Sequence, residues 1–150
     1  MKKKIIIFLT IAFAIFLGLC IATFIIHLIS NARFDSALSD LKHDVRETYA
    51  GRNSIEVKDH TVTVKLWSDK MSVAAMKAYE GDSFYLNEWN AFRDQMHNLV
   101  DSVCDDFDFV GDFEIYFIYA NEQNPDRNLL VFRNRELYYD VVSGFDARGG

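Results

Sequence analysis

Residues 5–29 form an unbroken apolar run without a formal charge, and this run limits what the chain can fold into more than any other feature. As an α-helix rising about 1.5 Å per residue, it exceeds the roughly 30 Å thickness of a bilayer's hydrocarbon core. The length predicts a transmembrane helix with some tilt. About 120 residues follow, which is enough for one folded domain with its own core.

Two kinds of processing are alternatives to an uncleaved signal-anchor. A signal peptide has a shorter apolar region, of about 7 to 15 residues, but Ser30-Asn31-Ala32 satisfies the small-x-small rule, so cleavage after Ala32 is one alternative. Leu17-Gly18-Leu19-Cys20 resembles a lipoprotein motif, although Leu19 stands where a small residue is needed and the run continues past the cysteine. We therefore interpret Cys20 as a lipid-compatible side chain.

The charges on the two flanks of the run predict its orientation. Lys2, Lys3 and Lys4 precede it, whereas Arg33 on the other flank is followed closely by Asp35. The positive-inside rule then places residues 1–4 in the cytoplasm as a basic flank and exports the rest of the chain. We expect a single-pass protein of the cell membrane whose C-terminal domain is extracytoplasmic.

A ridge of small residues within the run is a candidate for helix association. Thr10, Ala14, Gly18 and Ala22 recur every four residues, the small-xxx-small arrangement that lets two membrane helices approach closely. Small residues are common in membrane helices and also align by chance. Association of the helix with itself or with another membrane protein is therefore a hypothesis.

The exported part is acidic. Three of the 16 basic residues and none of the 22 acidic ones precede Asn31, so residues 31–150 carry a net charge of −9. Such a charge repels phosphate backbones and argues against nucleic acid as a partner.

Cys20 lies at bilayer depth and Cys104 outside it, so the two cannot form a disulfide. We expect Cys104 to be a small buried apolar residue.

Residues 30–51 predict an amphipathic stalk helix that continues the membrane helix. No proline or glycine intervenes before Gly51, which is a helix-stop signal. One apolar stripe at helical spacing is expected to pack on the domain. Its members are Phe34, Leu38, Leu41, Val45 and Tyr49.

Residues 52–150 predict the extracytoplasmic domain, beginning with a β-hairpin. Apolar residues alternate at 55–57 and 62–66 around the polar turn at 58–60. A short helix over 69–80 follows, and then a longer one capped by Asp82 or Ser83. The stripe of the longer helix is expected to lie across a sheet. It comprises Trp89, Phe92, Met96, Leu99, Val103 and Phe107.

The last third of the chain supplies further strands. Residues 113–119 alternate with apolar residues on both faces, which predicts a central strand, and residues 121–128 form a loop. Two more strands, at 129–133 and 136–142, are joined by Asn134-Arg135 as a second hairpin. We predict an α+β domain in the order α-ββ-α-βββ, with an antiparallel sheet of about five strands and helices on one face.

Residues suited to catalysis are few. His97, Asp101 and Asp105 share one face of the longer helix, so a hydrolase with a site near His97 and Asp101 is an alternative, although an exposed helix face is normally polar. The chain has no nucleophile-elbow motif and no phosphate-binding glycine loop. We expect no catalysis, no metal and no cofactor.

The expected function is therefore binding. The predicted protein is a membrane-anchored extracytoplasmic accessory protein that contacts the lipid bilayer and another protein, or itself through the membrane helix. In outline the chain resembles a pilin, but the Lys4-Ile5 junction lacks that family's small-residue cleavage site and the run lacks its early glutamate. A pilin-like assembly subunit is a further alternative.

Tyr85, Tyr138 and Tyr139 are candidate exposed aromatics, which periodicity alone cannot assign to a contact surface or to the core edge.

Overall fold

The computed structural model describes residues 2–49, 51–108 and 113–149, with side chains from Ile15 onward. In this part of the chain a six-stranded mixed sheet is combined with helices, so the predicted α+β class is confirmed. The elements are α1 (Lys2–Thr48), β1 (Asn53–Lys58), β2 (Thr61–Trp67), α2 (Asp69–Tyr79), α3 (Ser83–Phe107), β3 (Glu114–Ala120), β4 (Asn128–Arg133), β5 (Glu136–Asp140) and β6 (Phe145–Asp146), followed by a 3-10 turn (Ala147–Gly149).

Helix α1 runs without a break from the predicted membrane segment into the predicted stalk. Its 47 residues correspond to a rod of about 70 Å. Side chains 15–29 are exposed, and α1 is the one described helix that is long and apolar enough to span a membrane. After Thr48 the chain turns at Gly51, whose φ of +73° favours glycine.

The stalk half of α1 packs on the domain as its stripe predicted. Leu41 and Val45 are buried, and so is Ala37, which the predicted stripe did not include. Phe34 stacks on Phe113 with ring centroids 4.5 Å apart. The domain is therefore attached to α1 through side-chain packing as well as through the chain.

The sheet order is β1-β2-β3-β4-β5-β6, and one pairing differs from the prediction. β2 and β3 are parallel, with Val64 opposite Phe117, so the expectation of a fully antiparallel sheet was wrong at this pair. Helices α2 and α3 lie between these strands in the sequence and form the crossover that parallel pairing requires. The other pairings are antiparallel, and both predicted hairpins are present. Their tight turns place Asp59 and Asn134 at a φ of +52°.

The core lies between the helices and one face of the sheet. β2 alternates between buried and half-buried residues, and Val62, Val64 and Leu66 are inaccessible to solvent. In the α3 stripe Trp89, Met96, Val103 and Phe107 are buried, while Phe92 and Leu99 lie at the core edge. This confirms the predicted role of the stripe.

A buried carboxylate fastens α3 to β5. Asp140 is fully buried and accepts hydrogen bonds from the Trp89 indole N–H (3.0 Å), the Arg93 guanidinium (3.3 Å) and the Val142 backbone N–H (3.0 Å). A buried charge is tolerated only where such partners satisfy it. This contact thus fixes how α3 sits on the sheet.

The domain has two ends relative to α1. At the near end Phe34, about one and a half helical turns beyond Ile29, meets Phe113 beside the start of β3 and Phe107 at the end of α3. The far end contains the last residue of β2, Trp67, whose N–H donates to the carbonyl of Arg52 just beyond α1. Helix α2 begins directly after β2 and therefore lies at the far end.

Candidate functional site

The His97 and Asp101 side chains are neighbours, as their spacing predicts, but they do not form a hydrogen bond. His97 Nε2 lies 3.9 Å from the nearer Asp101 carboxylate oxygen, beyond hydrogen-bond distance. The same nitrogen donates to the backbone carbonyl of Arg135 at 3.0 Å, and the ring stacks on Phe132. His97 therefore packs over the β4–β5 turn, and about half of its side chain is exposed.

Cys104 is buried, as expected, and borders a cavity of about 520 Å³ near the β4–β5 turn. Burial raises the pKa of its thiol, and the nearby carboxylates raise that pKa further, against an opposing effect of Arg135. The thiol therefore stays protonated at neutral pH, which makes it a weak nucleophile. Among the residues whose side chains are described, no cluster of three or more His, Cys, Asp or Glu side chains could hold a metal ion.

The small-residue ridge of α1 lies within a continuous helix. The side chains of Thr10 and Ala14 are outside the described residues, while Gly18 and Ala22 are exposed. A Cβ atom placed on Gly18 would contact nothing within 4 Å. Helix association through this ridge stays a prediction.

Helix α2 buries its three alanines and exposes three of its four large apolar side chains. Val73, Met76 and Tyr79 point outward and are 41%, 48% and 66% exposed. Protein interiors normally take the large apolar side chains, because each contributes about 1.5–3 kcal/mol when fully buried. A helix that served only to cover the core would bury most of its large apolar side chains. The buried residues of α2 are Met71, Ser72, Ala74, Ala75 and Ala78.

The first turn of α3, which follows α2 after a short turn, carries two more exposed apolar side chains. Phe84 is 69% exposed and Leu86 is 39% exposed. The Asp82 carboxylate caps α3 by accepting hydrogen bonds from the N–H groups of Phe84 (3.0 Å) and Tyr85 (3.4 Å), which fixes the start of the helix. We call the exposed surface the α2–α3 patch. It consists of Val73, Met76, Tyr79, Phe84 and Leu86.

The patch concentrates the exposed apolar residues of the domain. Outside α1, seven large apolar residues are exposed among those described, and only Val57 and Phe145 are not in the patch. Scattered apolar residues are normal on a protein surface, whereas a concentration of them in one region marks an interaction site. The clustering therefore makes the patch the main candidate site.

A small cavity of about 190 Å³ opens beside the patch, between α2 and the far ends of β4 and β5. Met76 and Tyr79 belong to both the patch and the cavity. Ala75 and Leu129 are buried beneath it, and Arg127 is exposed at its edge. An apolar cavity of about 150 Å³ accommodates a benzene ring, so this one has room for one large apolar side chain.

Sequence reasoning found helix α2 but not the patch. Alanine and methionine occur all along residues 69–80, so no apolar stripe distinguishes a buried face from an exposed one. The one available signal was the size of the side chains: small residues at 74, 75 and 78 alternate with large ones at 73, 76 and 79. Comparison of the chain with known protein families, with curated proteins and with solved structures finds no significant match.

Proposed function

We propose that this chain is a single-pass membrane protein that holds its α+β domain outside the cytoplasm and binds another protein through the α2–α3 patch, without catalysis. The observation that carries the proposal is the inverted pattern of α2, in which alanines are buried while Met76 and Tyr79 are exposed. Methionine and tyrosine are both enriched where proteins bind one another.

The position of the patch favours a protein partner over the bilayer. The domain packs on α1 at Phe34, soon after the apolar run ends, so its near end lies next to the membrane that holds α1. The patch is at the far end, on α2 and the first turn of α3. The membrane that anchors α1 is therefore out of reach, and a partner has to approach from the aqueous side.

The orientation in the membrane rests on the flanking charges. Lys2, Lys3 and Lys4 favour a cytoplasmic N-terminus by the positive-inside rule. The net charge of −9 over residues 31–150 is compatible with an exported domain and unfavourable for binding polyanions. The partner is thus an extracytoplasmic protein or the extracytoplasmic part of a membrane protein.

The cavity beside the patch suggests how the partner is recognised. An apolar side chain of the partner inserted against Leu129 and Ala75 would be surrounded by Met76 and Tyr79. A central apolar anchor inside a ring of less important contacts is the usual arrangement of a binding hot spot. We therefore expect Met76 and Tyr79 to contribute most of the binding energy.

The test is quantitative capture of partners by the tagged full chain after cross-linking in intact cells. A variant combining Met76→Ser and Tyr79→Ser removes two exposed side chains, so the fold is expected to persist. Loss of two hot-spot residues should lower recovery of the partner about tenfold or more. Mass spectrometry of the captured proteins measures the ratio between variant and wild type.

Val57→Ser is the matched control, because Val57 is also an exposed apolar residue but lies on β1, outside the patch. This control should capture the partner as well as the wild type does. The proposal is wrong if every captured protein is recovered equally by the wild type and the double variant, or if Val57→Ser lowers recovery as much as the double variant does.

A further inference from the structure

The sheet has a second face, on the side away from the helices, and it is unusually rich in tyrosine. Tyr116 and Ile118 of β3 point to this side, because Ile115, Phe117 and Tyr119 face the helices. Val131 of β4 pairs with both Ile118 and Tyr139. Although it lies outside the core formed with the helices, Val131 is only 6% exposed, so the side chains around it form a covered surface.

A groove of about 380 Å³ runs across this face. Ile118 and Val131 line this groove together with three aromatic side chains, and we call the site the tyrosine groove. Neighbouring contacts hold the rings in place: Tyr116 and Tyr138 meet edge to face at 6.4 Å, and the Arg148 guanidinium lies 5.8 Å from the centre of the Tyr139 ring. The aromatic lining consists of Tyr116, Tyr138 and Tyr139.

Polar groups around the groove have no partner within the described chain. The structure gives no hydrogen bond or ion pair to the side chains of Asp126, Arg127 and Asn128, or to the hydroxyls of Tyr138 and Tyr139, among the residues it describes. By contrast, Arg148 is held by two bonds to Asp146, at 2.9 and 2.7 Å. The groove therefore offers a carboxylate, a guanidinium, an amide and two hydroxyls to a ligand.

The charges at the groove balance. Arg127 and Arg148 are offset by Asp126 and by Asp146, the partner of Arg148. The domain as a whole carries −9 over residues 31–150, so this is a locally neutral site on an acidic surface. Neither a strongly anionic nor a strongly cationic ligand is favoured by such a balance.

We propose that the tyrosine groove binds a neutral carbohydrate. A sugar ring has an apolar C–H face that can lie on an aromatic side chain, and hydroxyls around its edge that can bond to planar polar groups. The unpartnered side chains of Asp126, Arg127 and Asn128 supply acceptors and donors for such hydroxyls. The aromatic side chains of this site are distinct from the α2–α3 patch, because Tyr138 and Tyr139 belong to the opposite face of the sheet. Arg127 alone borders both the groove and the cavity beside the patch.

The test is saturation-transfer difference NMR on the full chain in detergent micelles, with maltose, cellobiose and N,N′-diacetylchitobiose as separate probes. At least one disaccharide should receive saturation on the C–H protons of its ring. Tyr139→Ala should weaken its binding about tenfold, since it removes a stacking surface and a hydroxyl. Tyr139→Phe, which keeps the ring, should weaken binding less, and Asn128→Ala reports on the hydrogen bonds without disturbing the rings.

Tyr79→Ala is the matched control, because Tyr79 is an exposed tyrosine of the α2–α3 patch and should leave sugar binding unchanged. Circular dichroism of each variant shows whether the fold is retained. The proposal is overturned if none of the three disaccharides binds the wild type, or if binding is equal in Tyr139→Ala, Asn128→Ala and wild type. It is also overturned if polyglutamate displaces the sugar, since the groove would then be an anion site. Loss of partner capture by the patch variant has no bearing on this result.

Discussion

Helix α3 and the residue after it make two ion-paired contacts with the β4–β5 region, and the two contacts differ chiefly in burial. At the far end Asp140 is fully buried and bonded to Trp89 and Arg93. At the near end Arg135, which is 40% exposed, pairs with Asp105 (2.8 Å) and Asp108 (2.6 Å). The ion pairs are shorter at the exposed contact, so distance alone would rank it as the stronger one.

Burial reverses that ranking. Exposed ion pairs compete with water and salt, whereas removing one partner of a buried pair leaves a desolvated charge or donor unsatisfied. The buried contact should therefore control stability, although it includes no recognisable motif. The histidine and carboxylates that look like a site in the sequence should matter little for folding.

The largest expected effect comes from Asp140→Ala. The substitution leaves the Trp89 N–H and the Arg93 guanidinium without their acceptor and should cost about 3–5 kcal/mol. That is a large part of the 5–15 kcal/mol typical of a folded domain. Urea unfolding of the full chain in micelles, followed by near-ultraviolet circular dichroism, measures the loss. Asp126→Ala, at an exposed carboxylate that has no partner among the described residues, should change stability by less than about 0.5 kcal/mol.

A second buried polar contact should appear as a loss of stability in alkali. Tyr119 is buried and donates to Ser68 Oγ at 2.6 Å, and burial raises the pKa of its hydroxyl to about 12. The unfolded chain loses this proton near pH 10. Ionisation of Tyr119 therefore leaves the free energy of unfolding unchanged well below pH 10. It lowers that free energy by about 2 to 3 kcal/mol as the pH rises to 12. Unfolding as a function of pH should show this decrease.

Tyr119→Phe isolates the contribution of this residue. Because the variant has no proton to lose at position 119, its stability should fall less steeply above pH 10. Tyr79→Phe, at an exposed tyrosine, should keep the slope of the wild type. Equal slopes in Tyr119→Phe and wild type would mean that the hydroxyl is not protected by burial.

The exposed contact should respond to salt. Arg135→Ala should lower stability only slightly at low ionic strength, far less than Asp140→Ala does. In about 0.5 M NaCl, where screening shortens the range of charge interactions to a few ångströms, the difference from wild type should become smaller. What remains reflects the hydrogen bond from Arg135 to the Asp101 carbonyl. Urea unfolding at the two salt concentrations is the measurement. A salt-independent loss as large as that of Asp140→Ala would invalidate the comparison.

The smallest effect is expected for His97→Gln. Its side chain is about half exposed, and a glutamine amide can still donate to the carbonyl of Arg135. The change in stability should stay within about 0.5 kcal/mol. A large loss on thermal unfolding would show that stacking of His97 on Phe132 matters more than its exposure suggests.

Much of the fold could be predicted because its local signals are strong. The apolar run, the stripe of α3 and the hairpin turns at Asp59 and Asn134 each follow from a short stretch of sequence. The parallel pairing of β2 with β3 could not be predicted this way, because alternation of buried and exposed residues is the same in parallel and antiparallel pairs. Only the crossover through α2 and α3 specifies it.

The candidate sites were harder to predict because they depend on tertiary neighbours. Asp140 ends a strand, and nothing near it in the sequence shows that Trp89, 51 residues earlier, will bond to it. Met76 and Tyr79 have the apolar character of core residues, and their exposure follows from the alanines that take the buried positions. The side of the sheet on which Tyr138 and Tyr139 lie likewise depends on strand pairing.

The most direct test of the proposed function is site-specific photo-crosslinking from Phe84 in intact cells. A benzophenone amino acid at this position of the patch should form an adduct with a partner, and externally added protease should degrade the adduct. The same amino acid at Phe145, which is also exposed but lies on β6, should not form that adduct. An adduct that forms equally from both positions, no adduct from Phe84, or an adduct protected from protease by the membrane would contradict the account.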